Sequence, residues 1–486
     1  MNVIIVSNRT PDTISKTSGG LVTTIIDAVS CFKNIKWYGV KSTKNNNEHN
    51  NNEHNNNEHN NNEHNNNINR ETNKLENIDI IQIMISDCLY KSHYGEFCNR
   101  FIWPTNHDLE KYIVLPNKET VYLNYIVNMF LSKAILYDIN NSKNINPIWI
   151  HDYHHYCLPN ILKQNGCKNT IVFFNHTPIA SKSIFEIRYN EIYDLYKEII
   201  KSISSDYIFF QTKKDLINYT EWCDNTDFYF EDIKPYTIYK NNNGIYLGYA
   251  PISVDTQKID EILKQQYMTE DAKYLNNKLV ALNIFINFER ADYSKGILER
   301  LHAFKLFLKK NKSYVKDYQM LVSIEPTRNG IKEYDNYTEC IKLLINKINK
   351  KYENSIILYN NKLIQSDVYH LMRPSNIMHQ KRHLIVTSYR DGMNLTAKEF
   401  AYIADCGTLI IHNVVGAAYE LVCGNKGAVG YSVNSCLVKP IVKAMIQVSQ
   451  MKDEEIIARN KYMKNIIKNN SLNKWVDFHK KILFPS

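Results

Sequence analysis

Short runs of apolar, β-favouring residues alternate along the chain with longer segments whose apolar positions repeat at helical spacing. In the first half, Val3–Val6, Ile78–Ile85, Pro147–Ile150, Thr170–Phe174, Asp206–Phe210 and Tyr246–Val254 read as strands. In the second half the runs at Ile284, Met320–Ile324, Ile356–Leu358, Leu384–Val386, Leu409–Ile411 and Val429–Tyr431 do the same. Helical patterns fall between them: Leu21 to Val29, Val121 to Tyr137, and a long one through Ile297, Leu301, Phe304 and Leu308. Strands alternating with helices throughout predict an α/β chain with a parallel, doubly wound sheet in each half. Ligands of such sheets bind beyond the carboxyl ends of the strands, so the polar residues after each apolar run carry the candidate chemistry.

The stretch Val386–Phe400 (VTSYRDGMNLTAKEF) has a strand, a turn at Arg390-Asp391-Gly392 and a helical continuation. A helix N-terminus at a strand exit offers free N–H groups and a favourable dipole to an anion. Gly392 allows a close backbone approach, and Asp391 can accept hydrogen bonds. Glu399, expected about two turns into the helix, could chelate vicinal hydroxyls. Taken alone, Asp391 also reads as a helix cap beside a solvated Glu399. Its partner is Ile284–Gly296 (IFINFERADYSKG), where Arg290 and Lys295 follow the strand and precede a helix. Two cations at one strand exit and a helix start at another suit a diphosphate. No P-loop motif occurs, so the pair reads as a nucleotide-sugar site. Other strand exits carry Ser7-Asn8-Arg9, His151-Asp152, Asn175-His176, Gln211-Thr212 and Glu325-Pro326-Thr327-Arg328. Ser18-Gly19-Gly20-Leu21 opens a helix after the first strand, a further phosphate-approach geometry. Tyr94 to Pro104 is an aromatic cluster that suits either a core or a sugar-stacking platform.

With 486 residues, two domains are expected, and 44% hydrophobic with 22% charged residues describes a globular chain. The net charge of +9 comes without any dense Lys/Arg block, which argues against nucleic acid and suits a phosphorylated small substrate. The 10 cysteines form no C-x-x-C pair, so neither zinc nor a disulfide framework is expected. The chain enters a strand at Val3 and has no run long enough to span a bilayer; a cytoplasmic protein without signal peptide or membrane partner is expected. Asn45–His64 is four copies of NNNEH. Period five fits neither helix nor strand, so the segment reads as a disordered insert without metal chemistry.

Six segments in this order resemble the retaining glucosyltransferases that make trehalose 6-phosphate, the trehalose-phosphate synthases of glycosyltransferase family 20. They are SNR…SGGL (Ser7–Leu21), FCNRFIWP (Phe97–Pro104), HDYH (His151–His154), FFNHTP (Phe173–Pro178), FERADYSKG (Phe288–Gly296) and RDGMNLTAKEF (Arg390–Phe400). The resemblance implies a GT-B fold: two Rossmann-like domains facing a central cleft. An acceptor domain would span 1–250 (with the insert at 44–70), a nucleotide-sugar domain 251–468, and a helix crossing back 469–486. It implies a UDP-forming transfer of glucose from UDP-glucose to glucose 6-phosphate, without cofactor. Arg290 and Lys295 would hold the diphosphate, helped by Leu395 N–H and with Gly20 in a nearby loop. Glu399 would take the ribose, and Asp391 with the backbone of Gly392, Met393 and Asn394 the glucose. Asp152 and His176 would sit at the reacting sugar, and Arg9, Tyr94, Trp103 and Arg328 at the acceptor. No D-x-D pair occurs, so no metal site is expected, and the two cations would replace one. A separate trehalose-phosphate phosphatase would be the pathway partner, and the sequence is compatible with a homo-oligomer. The chain departs from the family pattern at Asn175, Thr177, Ile179, Ala180, Val40, Val415 and in Ser253-Val254. These changes leave open a relative with another phosphorylated acceptor, such as glycerol 3-phosphate, or a non-catalytic regulatory subunit.

Overall fold

The apolar runs form the strands of two separate sheets in a computed structural model of the protein. It describes residues 2–11, 20–43, 69–142, 146–183, 185, 192–224, 232–241, 244–311, 313–328, 330–374, 379–432 and 438–485. The NNNEH repeat and Ser18-Gly19 lie outside the described residues. The chain divides into two compact units, Met1–Ala250 with Val476–Ser486, and Pro251–Trp475.

The first unit contains β1 (Asn2–Val6), β2 (Asn34–Ser42), β3 (Arg70–Leu75), β4 (Ile78–Ile85), β5 (Ile148–His151), β6 (Ile171–Asn175), β7 (Tyr207–Phe210), β8 (Tyr239–Lys240) and β9 (Tyr246–Tyr249). Their order in the sheet is β3-β4-β2-β1-β5-β6-β7-β9-β8. The interior pairs are parallel, and only the two edge strands run antiparallel to their neighbours. Strands β5 and β6 are buried at every position, which is why they read as unbroken apolar runs and not as alternation. The polar edge strand β3 (RETNKL) was not legible from its pattern. The run expected to extend to Val254 stops pairing at Tyr249, shortly before Pro251. The aromatic cluster is helical: a π-helical stretch, Lys91–Ile102, continues directly into the turn Trp103–Asn106, whose second residue is Pro104.

The second unit contains β10 (Asn283–Arg290), β11 (Tyr318–Glu325), β12 (Ile356–Tyr359), β13 (Lys381–Val386), β14 (Leu409–His412) and β15 (Val429–Tyr431). All pairs are parallel, and the order is β12-β11-β10-β13-β14-β15. That is the Rossmann order, with the chain reversing direction across the sheet between β10 and β13. Within the first sheet the same reversal lies between β1 and β5. Two Rossmann-like units in one chain are the make-up of the GT-B class. The last helix, Leu472–Leu483, buries Leu472, Trp475, Val476, His479, Ile482 and Leu483, a single helical stripe. From Val476 onward it packs within the first unit, with His479 stacked on Trp149 at 5.0 Å.

Candidate active site

In the second unit the reversal point brings the exits of β10 and β13 together. Ser294 C=O accepts from Tyr389 N–H at 2.9 Å. The Thr387 hydroxyl lies 2.9 and 3.0 Å from the carbonyls of Lys295 and Gly296. Gly296 has φ +63°, and a Cβ there would lie 2.4 Å from Thr387 O, so only glycine permits this approach. Across the join, Lys295 Nζ donates to Asp391 Oδ2 at 2.5 Å, with both side chains mostly shielded. Arg290 is 40% exposed, and its guanidinium lies 4.0 Å from Asp292 Oδ2. Arg328 is buried, donating to Asp292 at 2.7 Å and to the Tyr334 hydroxyl at 2.5 Å. Burial alone would raise the Asp292 carboxyl, but Arg328, Arg290 and Lys295 more than offset it and hold it at about 2. Arg328, Arg290 and Lys295 thus lie about the carboxylates of Asp292 and Asp391 at these strand exits.

The turn after β13 is held by its own polar groups. Asp391 Oδ2 also accepts from Ser388 Oγ (3.3 Å) and Asn394 Nδ2 (3.1 Å). Asp391 C=O accepts from Gly416 N–H, and Met393 C=O from Ala417 N–H. A Cβ on Gly416 would come within 1.9 Å of Gly392 O, so Gly416 and Ala417 form the floor of the turn. The helix begins at Leu395, and its cap is Asn394, whose side chain accepts from Ala397 N–H. This corrects two expectations. Asp391 is not the cap, and Glu399 lies just over one turn into the helix instead of two, because the chain stays in the turn until Asn394 (φ +72°). Among the described residues, no hydrogen bond occupies the N–H groups of Leu395 and Thr396, the first two of this helix. Glu399 accepts from Tyr369 (2.9 Å) and Gln365 (3.3 Å), and burial raises its pKa against those bonds.

In the first unit, Arg9 follows β1 and Asp152 follows β5, either side of the reversal. Arg9 donates to the Tyr94 hydroxyl at 3.0 Å and lies over its ring, and the His154 ring stacks on Tyr94. Trp103 is buried against Tyr153 and His107. Gly20 is the first residue of the helix Gly20–Val29. Asp152 has φ +75° and ψ 170°, a conformation that side chains other than glycine's rarely adopt. Its Oδ1 is buried without a hydrogen-bond partner among the described residues. Burial raises the Asp152 carboxyl to about 6, against opposing N–H groups of Tyr153, His176 and Thr177. His176 has both ring nitrogens engaged, Nδ1 with Gln211 Nε2 and Nε2 with His151 Nδ1, each at 3.0 Å. With the Gln211 amide donating, the His176 proton sits on Nε2 and is given to His151. Burial, with the neighbouring His479, lowers His176 to about 3, so the ring is neutral at pH 7.

The expected residues thus fall into two groups, one in each unit. Arg290, Lys295, Arg328, Asp391, Gly392, Met393, Asn394, Leu395 and Glu399 lie in the second unit, and Arg9, Gly20, Tyr94, Trp103, Asp152 and His176 in the first. Reading the sequence missed Thr387 and Arg300 behind Lys295; it placed Glu289, His151 and Gln211 at strand ends but not their partners, Arg300 for Glu289 and His176 for the other two. A charged residue closing an apolar run, as Glu289 does, was the available signal. Among the described residues no group of three or more His, Cys, Asp or Glu side chains could hold a metal ion, and no helix is long and apolar enough to cross a membrane.

The model of glycosyltransferase family 20 matches residues 3–482. An α,α-trehalose-phosphate synthase (UDP-forming) of Candida albicans is 29% identical over 448 residues, covering 86% of this chain and 85% of that protein. The enzyme of the same description from Zygosaccharomyces rouxii is 25% identical over 446 residues, covering 86% and 84%. Among solved structures, an α,α-trehalose-phosphate synthase of Burkholderia xenovorans in complex with glucose-6-phosphate superposes with TM-score 0.81 at 23% identity, over 99% of this chain and 100% of that one. The Escherichia coli protein bound with UDP-2-fluoro glucose gives 0.79 at 22% identity, over 99% of each. These structural likenesses bear on the fold, and the match along nearly the whole sequence bears on kinship. The chain belongs to glycosyltransferase family 20.

Proposed function

We propose that the protein transfers glucose, with retention, from UDP-glucose to glucose 6-phosphate, giving trehalose 6-phosphate and UDP. The observation that carries this reading is the Lys295–Asp391 contact at the β10/β13 reversal. It sets a cation for a diphosphate beside a carboxylate for sugar hydroxyls, next to a helix start with open N–H groups. Retaining transfer passes through an oxocarbenium-like state while charge builds on the departing diphosphate, and fixed cations at that oxygen are the strongest available stabiliser. Arg290, Lys295 and Leu395 N–H take that charge, with Gly20 near the diphosphate. Glu399 binds the ribose hydroxyls, and Asp391 with the backbone of Gly392, Met393 and Asn394 binds the glucose. Donor binding exchanges the Lys295–Asp391 pair for Lys295–phosphate and frees Asp391 for the sugar. Arg9 and Arg328 take the acceptor phosphate, while Tyr94 and Trp103 line the acceptor. Asp152 accepts from a hydroxyl at the reacting sugar, and His176, neutral and fixed, shapes its wall. Attack comes from the face of the leaving group, whose phosphate oxygen accepts the acceptor's proton. Arg290 and Lys295 stand in for a metal clamp. A separate phosphatase would consume the product.

The test is UDP release across a matrix of sugar nucleotides and phosphorylated acceptors, with and without chelator. Release confined to UDP-glucose with glucose 6-phosphate, unchanged by chelator, is the expected result. Release with glycerol 3-phosphate instead would assign another acceptor, and silence with every pair would assign a non-catalytic role.

A further inference from the structure

The side chain of Thr387, the first residue past β13, is fully buried, yet four polar groups converge on its hydroxyl. Arg300 donates to Thr387 Oγ1 from Nε at 3.1 Å and from NH2 at 2.7 Å. The hydroxyl's single proton is left for the carbonyl of Lys295 or Gly296, at 2.9 and 3.0 Å. Arg300 NH2 also meets Glu289 Oε2 at 2.6 Å, in a pair whose side chains are 1% and 5% exposed. The same nitrogen lies 3.4 Å from Lys295 O. On the far side of Gly296, the Tyr337 hydroxyl accepts from Ile297 N–H at 2.8 Å and from Leu298 N–H at 3.3 Å. The Lys295 carbonyl and the backbone of the three residues after it are thereby tied to buried groups. A lysine ammonium rides on a flexible four-carbon stem, so its position is only as defined as the backbone that carries it.

We propose that Thr387, held in place by the Arg300–Glu289 ion pair, is a positioning residue for Lys295 and sets the site's affinity for a nucleoside diphosphate without touching it. The inference rests on the nucleotide-sugar reading of the site. Removing the hydroxyl takes away the Thr387 bond to the Lys295 carbonyl and leaves Arg300 Nε–H without its acceptor, while a residue of the same shape keeps the packing.

Calorimetric titration of UDP into the full chain tests this, well below each variant's Tm. The set is wild type, Thr387→Val, Thr387→Ser, Lys295→Ala and the Lys295→Ala/Thr387→Val double variant. Thr387→Val is expected to weaken UDP binding about tenfold, with Thr387→Ser within about threefold of wild type. In the Lys295→Ala background the added Thr387→Val change should cost less than about twofold, because a residue acting through Lys295 has nothing left to act on. If Thr387→Val does not fold, Arg300→Lys, which keeps the charge but loses the fork, should show the same tenfold loss and the same non-additivity. Full recurrence of the loss in the Lys295→Ala background would make the network merely structural and overturn the proposal. So would unchanged affinity in Thr387→Val. Unchanged affinity in Lys295→Ala alone is a different failure: it contradicts the nucleotide-site reading underneath.

Discussion

At the residue scale, charges in the second unit are held in mutually neutralising pairs, Lys295 on Asp391 and Arg328 on Asp292, with Arg290 near the second pair. Arg290→Ala and Lys295→Ala should each remove most turnover while the protein stays folded, since neither side chain is part of the core. Wild-type rates in either would contradict the site. Asp152 makes a prediction of the opposite kind. Folding raises its carboxyl to about 6, so between about pH 4 and 6 the native state keeps a proton that the unfolded chain has lost. Stability therefore falls as pH rises through that window and is flat above it, a penalty of about 3 kcal/mol at neutral pH. Asp152→Asn should raise Tm at pH 8 and lose turnover, with the Tm gap closing below about pH 4. A lower Tm at pH 8 would show that the carboxylate is well solvated. The charged residues were legible in the sequence because each follows an apolar run. Their partners were not, because which buried group meets which depends on side-chain directions across two strands.

At the element scale, the parallel strands could be read off because strands buried on both faces are continuous apolar runs. β3 and the two-residue β8 carry no such run, and the start of the helix at Leu395 was misjudged because the turn before it is stabilised by Gly416 and Ala417 from beyond β14. Gly416→Ala should test that floor. A methyl 1.9 Å from Gly392 O must displace the 391–394 turn, so UDP-glucose affinity should fall at least tenfold. Retained affinity would mean the turn does not depend on it. Towards the other end of β13, Arg382 is fully buried with Asn276 as the partner of its Nη2 at 2.9 Å, and among the described residues its Nε and Nη1 have none. Burial lowers its pKa to about 10. Arg382→Met should be neutral or stabilising by about 1–3 kcal/mol in denaturant unfolding, since it removes an uncompensated buried charge. A loss of several kcal/mol would show that the guanidinium is better satisfied than its neighbours indicate.

At the scale of the whole molecule, both sheets reverse chain direction at one point, with Arg9 and Asp152 past the two flanking strands in one unit and Lys295 and Asp391 past them in the other. The departures at Asn175 and Thr177 belong to a buried network: Tyr156 and Thr177 hydroxyls donate to Asn175 Oδ1, and Asn106 donates to both of those hydroxyls. Both residues thus have buried polar partners, which the FFNHTP motif alone does not display. The NNNEH segment falls between β2 and β3 in the sequence and contains no residue assigned a role, so deleting Asn45–Asn67 should leave turnover within about twofold; a dead deletion would give the segment a function. The most direct measurement of the central claim is the crystal structure of the UDP complex. The account expects diphosphate oxygens within about 3 Å of Lys295 Nζ, the Arg290 guanidinium and Leu395 N–H, with the ribose on Glu399. UDP bound elsewhere, with Lys295 still on Asp391, would contradict it.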